Sequence, residues 1–376
     1  MLTIALCGGF VMINEDGEDL GSVNIATHYL LTFIILIPGF LLYLNTRRQH
    51  NVATPIKWMA GFLLWMTFIS FIFSVNLKSA IYPCLTSLLP FAAMCSMYAY
   101  TSKYGMHKSI IWAAVLMQLI LVIQYFRIYN IANAVGEAHL MTSYYPMFLL
   151  PLVLIHPSKA VRYLSILLIT FVIFSSIKRG GLVALVIALI VYILSKERIQ
   201  SKGIKSILYV VLALVTLGGI FLYFTTTEYG GVIERMASIQ DDGGSGRIDV
   251  WATTWSMIQN TKGLKYLIGH GFSTVLSDSP LYLSAHNDFM EAWYDFGIIG
   301  CLLYIFSLFS TARYSLQHLK IKSQTAPCLL MLLSLMLVDS SISIVILYFI
   351  LTLCCMMIGI FLGLNYYNTT VNINNE

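Results

Sequence analysis

Few residues in this chain are suited to chemistry, and the richest group is the run Ser284-Ala285-His286-Asn287-Asp288-Phe289-Met290-Glu291. An imidazole titrates near about 6.5, so His286 on a water-facing turn can take a proton from a hydroxyl close to neutral pH. Spacing alone equally allows His286 to be an ordinary polar loop residue. Asn287 or Ser284 can cap the free amides of the helix that follows, and Gly297 and Gly300, one turn apart, would let that helix pack closely on a neighbour. Two further turns carry cations. Ser175-Ser176-Ile177-Lys178-Arg179-Gly180-Gly181 joins two apolar stretches, and Ser245-Gly246-Arg247 leads into a helical pattern. A guanidinium offers phosphate two parallel hydrogen bonds, and helix-start amides add to the attraction. The pair Lys178-Arg179 therefore reads either as an anion site or as cations snorkelling to lipid headgroups. Gly269-His270-Gly271 is a third polar turn, one that would shape the site, and His270 ranks below His286.

The elements that must position these residues belong to a membrane protein. Of 376 residues, 58% are hydrophobic and only 10% charged, with a mean hydropathy of +0.80; soluble domains carry about a quarter charged residues. Apolar stretches at 1–13, 27–45, 56–75, 79–100, 109–126, 140–155, 161–176, 180–195, 205–224, 292–312, 326–340 and 344–364 have lengths suited to crossing about 30 Å of hydrocarbon. The expected fold is thus an all-α polytopic transmembrane helical bundle of about twelve spans forming a single domain, 1–376. The first stretch lacks a basic leader and reads as a short helix. The last two come from one apolar run split at Asp339, Ser340 and Ser341, where a mid-membrane charge would be costly.

With the N-terminus inside, 14 of the 22 basic residues fall in cytoplasmic loops, so both ends are expected there. The long polar segment 225–291 then lies outside, as a partly helical periplasmic loop with Arg247–Asn260 as an amphipathic helix. Trp251 and Trp255 on that helix read either as site residues or as interfacial anchors. The net charge of +5 is scattered in pairs between apolar runs, which argues against a nucleic-acid partner. All seven cysteines lie in apolar stretches, which suits packing better than a disulfide framework or zinc. The spans hold almost no ionisable residues, no phosphate-binding loop signature is present, and no interrupted helix is apparent, so transport has little support.

At these residues the sequence resembles the O-antigen ligase and polymerase superfamily of bacterial membrane glycosyltransferases. The family pattern of His, then Asn, Ser or Gln, nine residues, Gly, two residues and Gly, Thr or Tyr is met by His286, Asn287, Gly297 and Gly300. It ends the largest outer loop, and the turns with Arg179 and with Ser245-Gly246-Arg247 resemble the family's arginines. The resemblance implies a glycan donor on undecaprenyl diphosphate, with Arg179 and Arg247 on the diphosphate and His286 as the base that deprotonates the acceptor hydroxyl. Lys178, Asn287, Ser245, Gly246 and His270 would contact substrate. It implies inversion at the anomeric carbon, no metal and no cofactor, and a place in the inner membrane with a periplasmic site. The acceptor would be lipid A-core oligosaccharide for a ligase, or a lipid-linked repeat unit for a polymerase. A transporter of such glycans is the competing class.

Overall fold

The computed structural model describes residues 37–45, 52–74, 77–135, 143–176, 179–200, 246–346 and 349–375. Every regular element among them is helical: α1 (Thr54–Ile72), α2 (Leu77–Tyr104), α3 (Lys108–Val135), α4 (Tyr144–Phe148), α5 (Leu150–Val153), α6 (Lys159–Ser175), α7 (Arg179–Gln200), α8 (Arg247–Asn260), α9 (Leu264–Ile268), α10 (Thr274–Asp278), α11 (Asp288–Lys320), α12 (Ala326–Ile342) and α13 (Phe349–Asn375). A helical stretch over 37–45 precedes them. Helices dominate because a backbone in hydrocarbon must satisfy its own polar groups.

Five described helices, α1, α2, α3, α11 and α13, are long and apolar enough to cross a bilayer. The expected segments at 1–13 and 205–224, most of 27–45, and 225–245 of the long loop lie outside the described residues. The expected span over 140–155 is instead two short buried helices, α4 and α5. Pro146 and Pro151 cannot donate to a helical ladder, and Gln118 Nε2 donates to the buried Pro146 carbonyl at 3.1 Å. The break near the C-terminus also falls later than expected. Asp339, Ser340 and Ser341 lie in the last turns of α12, and the chain leaves helical geometry at Ser343.

Two packing modes hold the bundle. Helices α2 and α13 approach backbone to backbone at Gly359 and Gly363, spaced as Gly-x-x-x-Gly. Any side chain at Gly359 would collide with the Met94 carbonyl, and one at Gly363 with Thr101; small residues at this spacing are the usual means of close helix approach in lipid. The bundle core is otherwise large apolar side chains, among them Phe62, Tyr304, Phe148 and Phe361. The second mode is polar and surrounds the start of α11.

Candidate active site

Helix α11 begins where a side chain satisfies its free amides. Asn287 Oδ1 accepts from the Phe289 and Met290 amides at 3.1 and 3.2 Å, an N-cap. The capping role expected of Asn287 or Ser284 thus falls to Asn287. Its Nδ2 donates to the Ser341 carbonyl at the end of α12, 3.2 Å away. His286, immediately before the cap, sits half-buried in left-handed geometry with φ of 49°. Non-glycine residues rarely adopt that region, and such positions gather at functional sites.

Three buried carboxylates on the first turns of α11 hold the irregular segments around it. Asp288, fully buried, accepts from the Val345 and Ile346 amides at 2.8 and 3.3 Å, from Ser340 Oγ at 2.6 Å and from Tyr304 Oη at 3.2 Å. The amides left over where α12 ends and α13 has not begun are therefore paired inside the bundle. This is the break in the last apolar run, a few residues later than the split expected at Asp339, Ser340 and Ser341. Glu291 Oε2 accepts from the Ala285 amide at 2.6 Å and so fixes the residue before His286. Asp295 accepts from the amides of Ser273, Thr274 and Val275 at 2.7 to 3.0 Å and from Thr274 Oγ1 at 2.9 Å, capping α10.

Gly297 breaks α11 with φ of 69°, and there the helix crosses the loop turn at Gly269. A side chain on Gly297 would collide with the Leu267 carbonyl, and one on Gly269 with the Asp295 carbonyl. Glycine is needed on both sides of this crossing. Trp65 Nε1 from α1 donates to the Phe296 carbonyl that the kink releases, at 2.8 Å.

Arg247 opens α8, the helix expected at Arg247–Asn260, after Gly246 in left-handed geometry at φ of 74°. A Cβ at Gly246 would meet nothing, so conformation and not crowding calls for glycine there. The half-buried guanidinium of Arg247 lies within electrostatic reach of Asp339 and of Tyr144. Asp339 is 1% exposed, and among the described residues neither of its carboxylate oxygens has a hydrogen-bond partner. Tyr144 in turn packs on the start of α7: Cβ atoms built at Gly180 and Gly181 would lie 3.2 and 2.9 Å from its hydroxyl and ring. Arg179 is the first residue of α7 and so stands next to this contact.

Four sequence-distant pieces therefore meet at the end of α12: the start of α7 with Arg179-Gly180-Gly181, Tyr144, Arg247, and the His286-Asn287 turn. Sequence reading had singled out the arginines and the turn. It treated Asp339 only as a span break, although a carboxylate inside an apolar run is itself a pointer to function, and it passed over Tyr144. Among the described residues no cluster of His, Cys, Asp and Glu is arranged to hold a metal ion. Lys178 and Ser245 lie outside the described residues.

His270 stands elsewhere. Its ring stacks on Tyr294 with centroids 4.1 Å apart and planes 9° apart, and its Nδ1 is 3.1 Å from the Tyr294 carbonyl. Partial burial lowers its pKa from the ordinary value, with the Tyr294 carbonyl opposing. Tyr294 Oη donates to Asp278 Oδ2 at 2.9 Å. Trp255, 43% exposed, meets Trp293 edge to face at 5.6 Å, an arrangement suited to an interfacial anchor.

No curated protein matches the chain. Residues 164–305 match the family model described as O-antigen ligase, a span that takes in the start of α7, Arg247 and the His286-Asn287 turn through Gly300. That segment resembles the O-antigen ligase family, and the described residues around it are helical, with five helices long and apolar enough to cross a membrane.

Proposed function

We propose that the chain is an inverting glycosyltransferase that moves a glycan from undecaprenyl diphosphate to lipid A-core oligosaccharide at the periplasmic face of the bacterial inner membrane. The observation that carries this reading is the convergence of Arg247, the Arg179-Gly180-Gly181 turn and the His286-Asn287 turn on the end of α12. Two guanidiniums neutralise the diphosphate, and their worth is greatest as the bond to the anomeric carbon breaks and charge grows on the leaving group. The acceptor hydroxyl attacks that carbon from the opposite face and passes its proton to His286, which gives inversion. The reaction in this form calls for neither metal nor cofactor.

The test uses the full chain in nanodiscs, supplied with lipid-linked glycan and a core oligosaccharide acceptor. Arg247→Ala and His286→Ala each lower transfer by roughly a hundredfold or more at unchanged protein abundance. Undiminished transfer by either variant would sink the assignment and leave a carrier of lipid-linked glycans in its place. Transfer to lipid-linked repeat units alone would make the chain a polymerase. A deletion strain separates the two: loss of a ligase leaves bare core with long polymer on the carrier, whereas loss of a polymerase leaves core bearing one repeat.

A further inference from the structure

Helix α8 has two working faces. Val250, Thr254 and Ile258 are buried, and Arg247 falls on the same stripe at helical spacing. The other face, with Thr253, Ser256 and Asn260, lines an open cavity of about 710 Å³, a size within the about 300–1,000 Å³ of ordinary small-molecule sites. The opposite wall is the stacked pair His270 and Tyr294 with Asp278, and the rim carries Lys262 and Lys265. The diphosphate cluster described above contributes none of these residues.

The lining chemistry is specific. The polar groups on the α8 wall are short, with Ser256 and Asn260 exposed and Thr253 half-buried. One face of the His270 ring is covered by Tyr294, and both rings border the cavity, which gives a flat platform beside hydrogen-bonding groups. Asp278 is oriented by the Tyr294 hydroxyl. Lys262 and Lys265 are exposed and make no ion pair among the described residues. A dry apolar ligand would strand these polar groups, whereas a ring bearing many hydroxyls and a negative charge would pair them. From Arg247 to Ser256 the distance along α8 is about 13.5 Å, at a rise of about 1.5 Å per residue.

We propose that this cleft is a saccharide-binding subsite that holds sugars remote from the reacting carbon and favours acidic ones. The proposal rests on the glycan-transfer reading, since a glycan reacting near Arg247 would need to extend along α8 to reach it. Sugars bound there would fix the register of the chain relative to His286 and add specificity that the diphosphate cluster, which recognises charge alone, lacks.

Binding of trigalacturonate and of the neutral maltotriose is measured by calorimetry on the full chain in phosphatidylcholine nanodiscs. Trigalacturonate binds saturably and more tightly than maltotriose. Lys262→Gln with Lys265→Gln weakens it by roughly tenfold, and Ser256→Trp, which fills the cleft from an exposed position, removes it. Thermal melting of each variant stays at the parental value, and Arg247→Gln leaves binding unchanged. Absence of saturable binding by either sugar, binding that survives Ser256→Trp, or equal affinity for the two sugars would overturn the proposal. Loss of transfer-assay support with retained sugar binding would remove only the transferase reading; normal transfer without sugar binding would remove only the subsite.

Discussion

The α2–α13 pair and the start of α11 solve the same problem, close association inside a bilayer, by opposite means. The pair joins through Gly359 and Gly363, where absent side chains let backbones touch. The start of α11 joins its neighbours through Asp288, Glu291 and Asp295, each holding amides of a different irregular segment. The first mode fixes shape and leaves nothing reactive. The second costs desolvation of three carboxylates, and it gives a helical scaffold the ability to hold non-helical segments, among them the turn before His286.

Breaking the polar mode has the largest expected effect. Asp288→Ala leaves the Val345 and Ile346 amides without their acceptor and the Ser340 and Tyr304 hydroxyls only each other, which costs about 3–5 kcal/mol and abolishes transfer. Unfolding in mixed micelles and the transfer assay check both, and a stable, active variant would show that the α12–α13 break is held by something else. Gly359→Val drives a side chain into the Met94 carbonyl and costs about 2 kcal/mol through overpacking. The protein that remains folded keeps its transfer rate, because the contact is remote from the arginine cluster; a slowed rate per folded molecule would mean that the two modes are coupled.

Glu291→Ala sharpens the contrast on a smaller scale. It frees the Ala285 amide, costs about 1–2 kcal/mol, and lowers transfer by loosening the turn that carries His286. Glu291→Gln keeps an acceptor oxygen and restores most of the rate. Equal loss in both variants would give the carboxylate charge itself the role.

The smallest effect is one of pH. The folded state depresses the His270 pKa below the unfolded value near about 6.5, so the unfolded chain binds the proton more readily. Its contribution to stability is full above that value and is lost as pH falls toward the folded one. His270→Gln flattens the melting temperature between pH 7.5 and pH 5, in units chosen for the assay. An unchanged slope would remove His270 from the account.

Much of this architecture was legible in the sequence because lipid enforces simple rules. Apolar length marked α1, α2, α3, α11 and α13, and the Arg247–Asn260 helix declared itself by periodicity. The family pattern placed His286, Asn287 and Gly297 in one motif. The rest depended on contacts between distant segments. Gly297 reads as a close-packing residue, yet its partner is not a membrane-length helix but the last turn of the short α9 at Leu267 and Ile268, just before Gly269. Asp339 looks like an interruption until the fold brings Arg247, far back in the chain, within electrostatic reach of it. Proline spacing at 146 and 151 signals the broken helix pair α4 and α5, but total apolarity masks that signal in a hydropathy window.

The crossing of Gly269 with Gly297 also closes a loop, with His286 inside it. Both ends are clamped, by backbone collision limits at the crossing and by the His270–Tyr294 stack beside it. The tip between α10 and Ser284 projects Leu281, Tyr282 and Leu283 outward. Substitutions in that tip leave the clamp in place, so the exposed handle can be remodelled while the hinge that holds the His286 turn stays as it is.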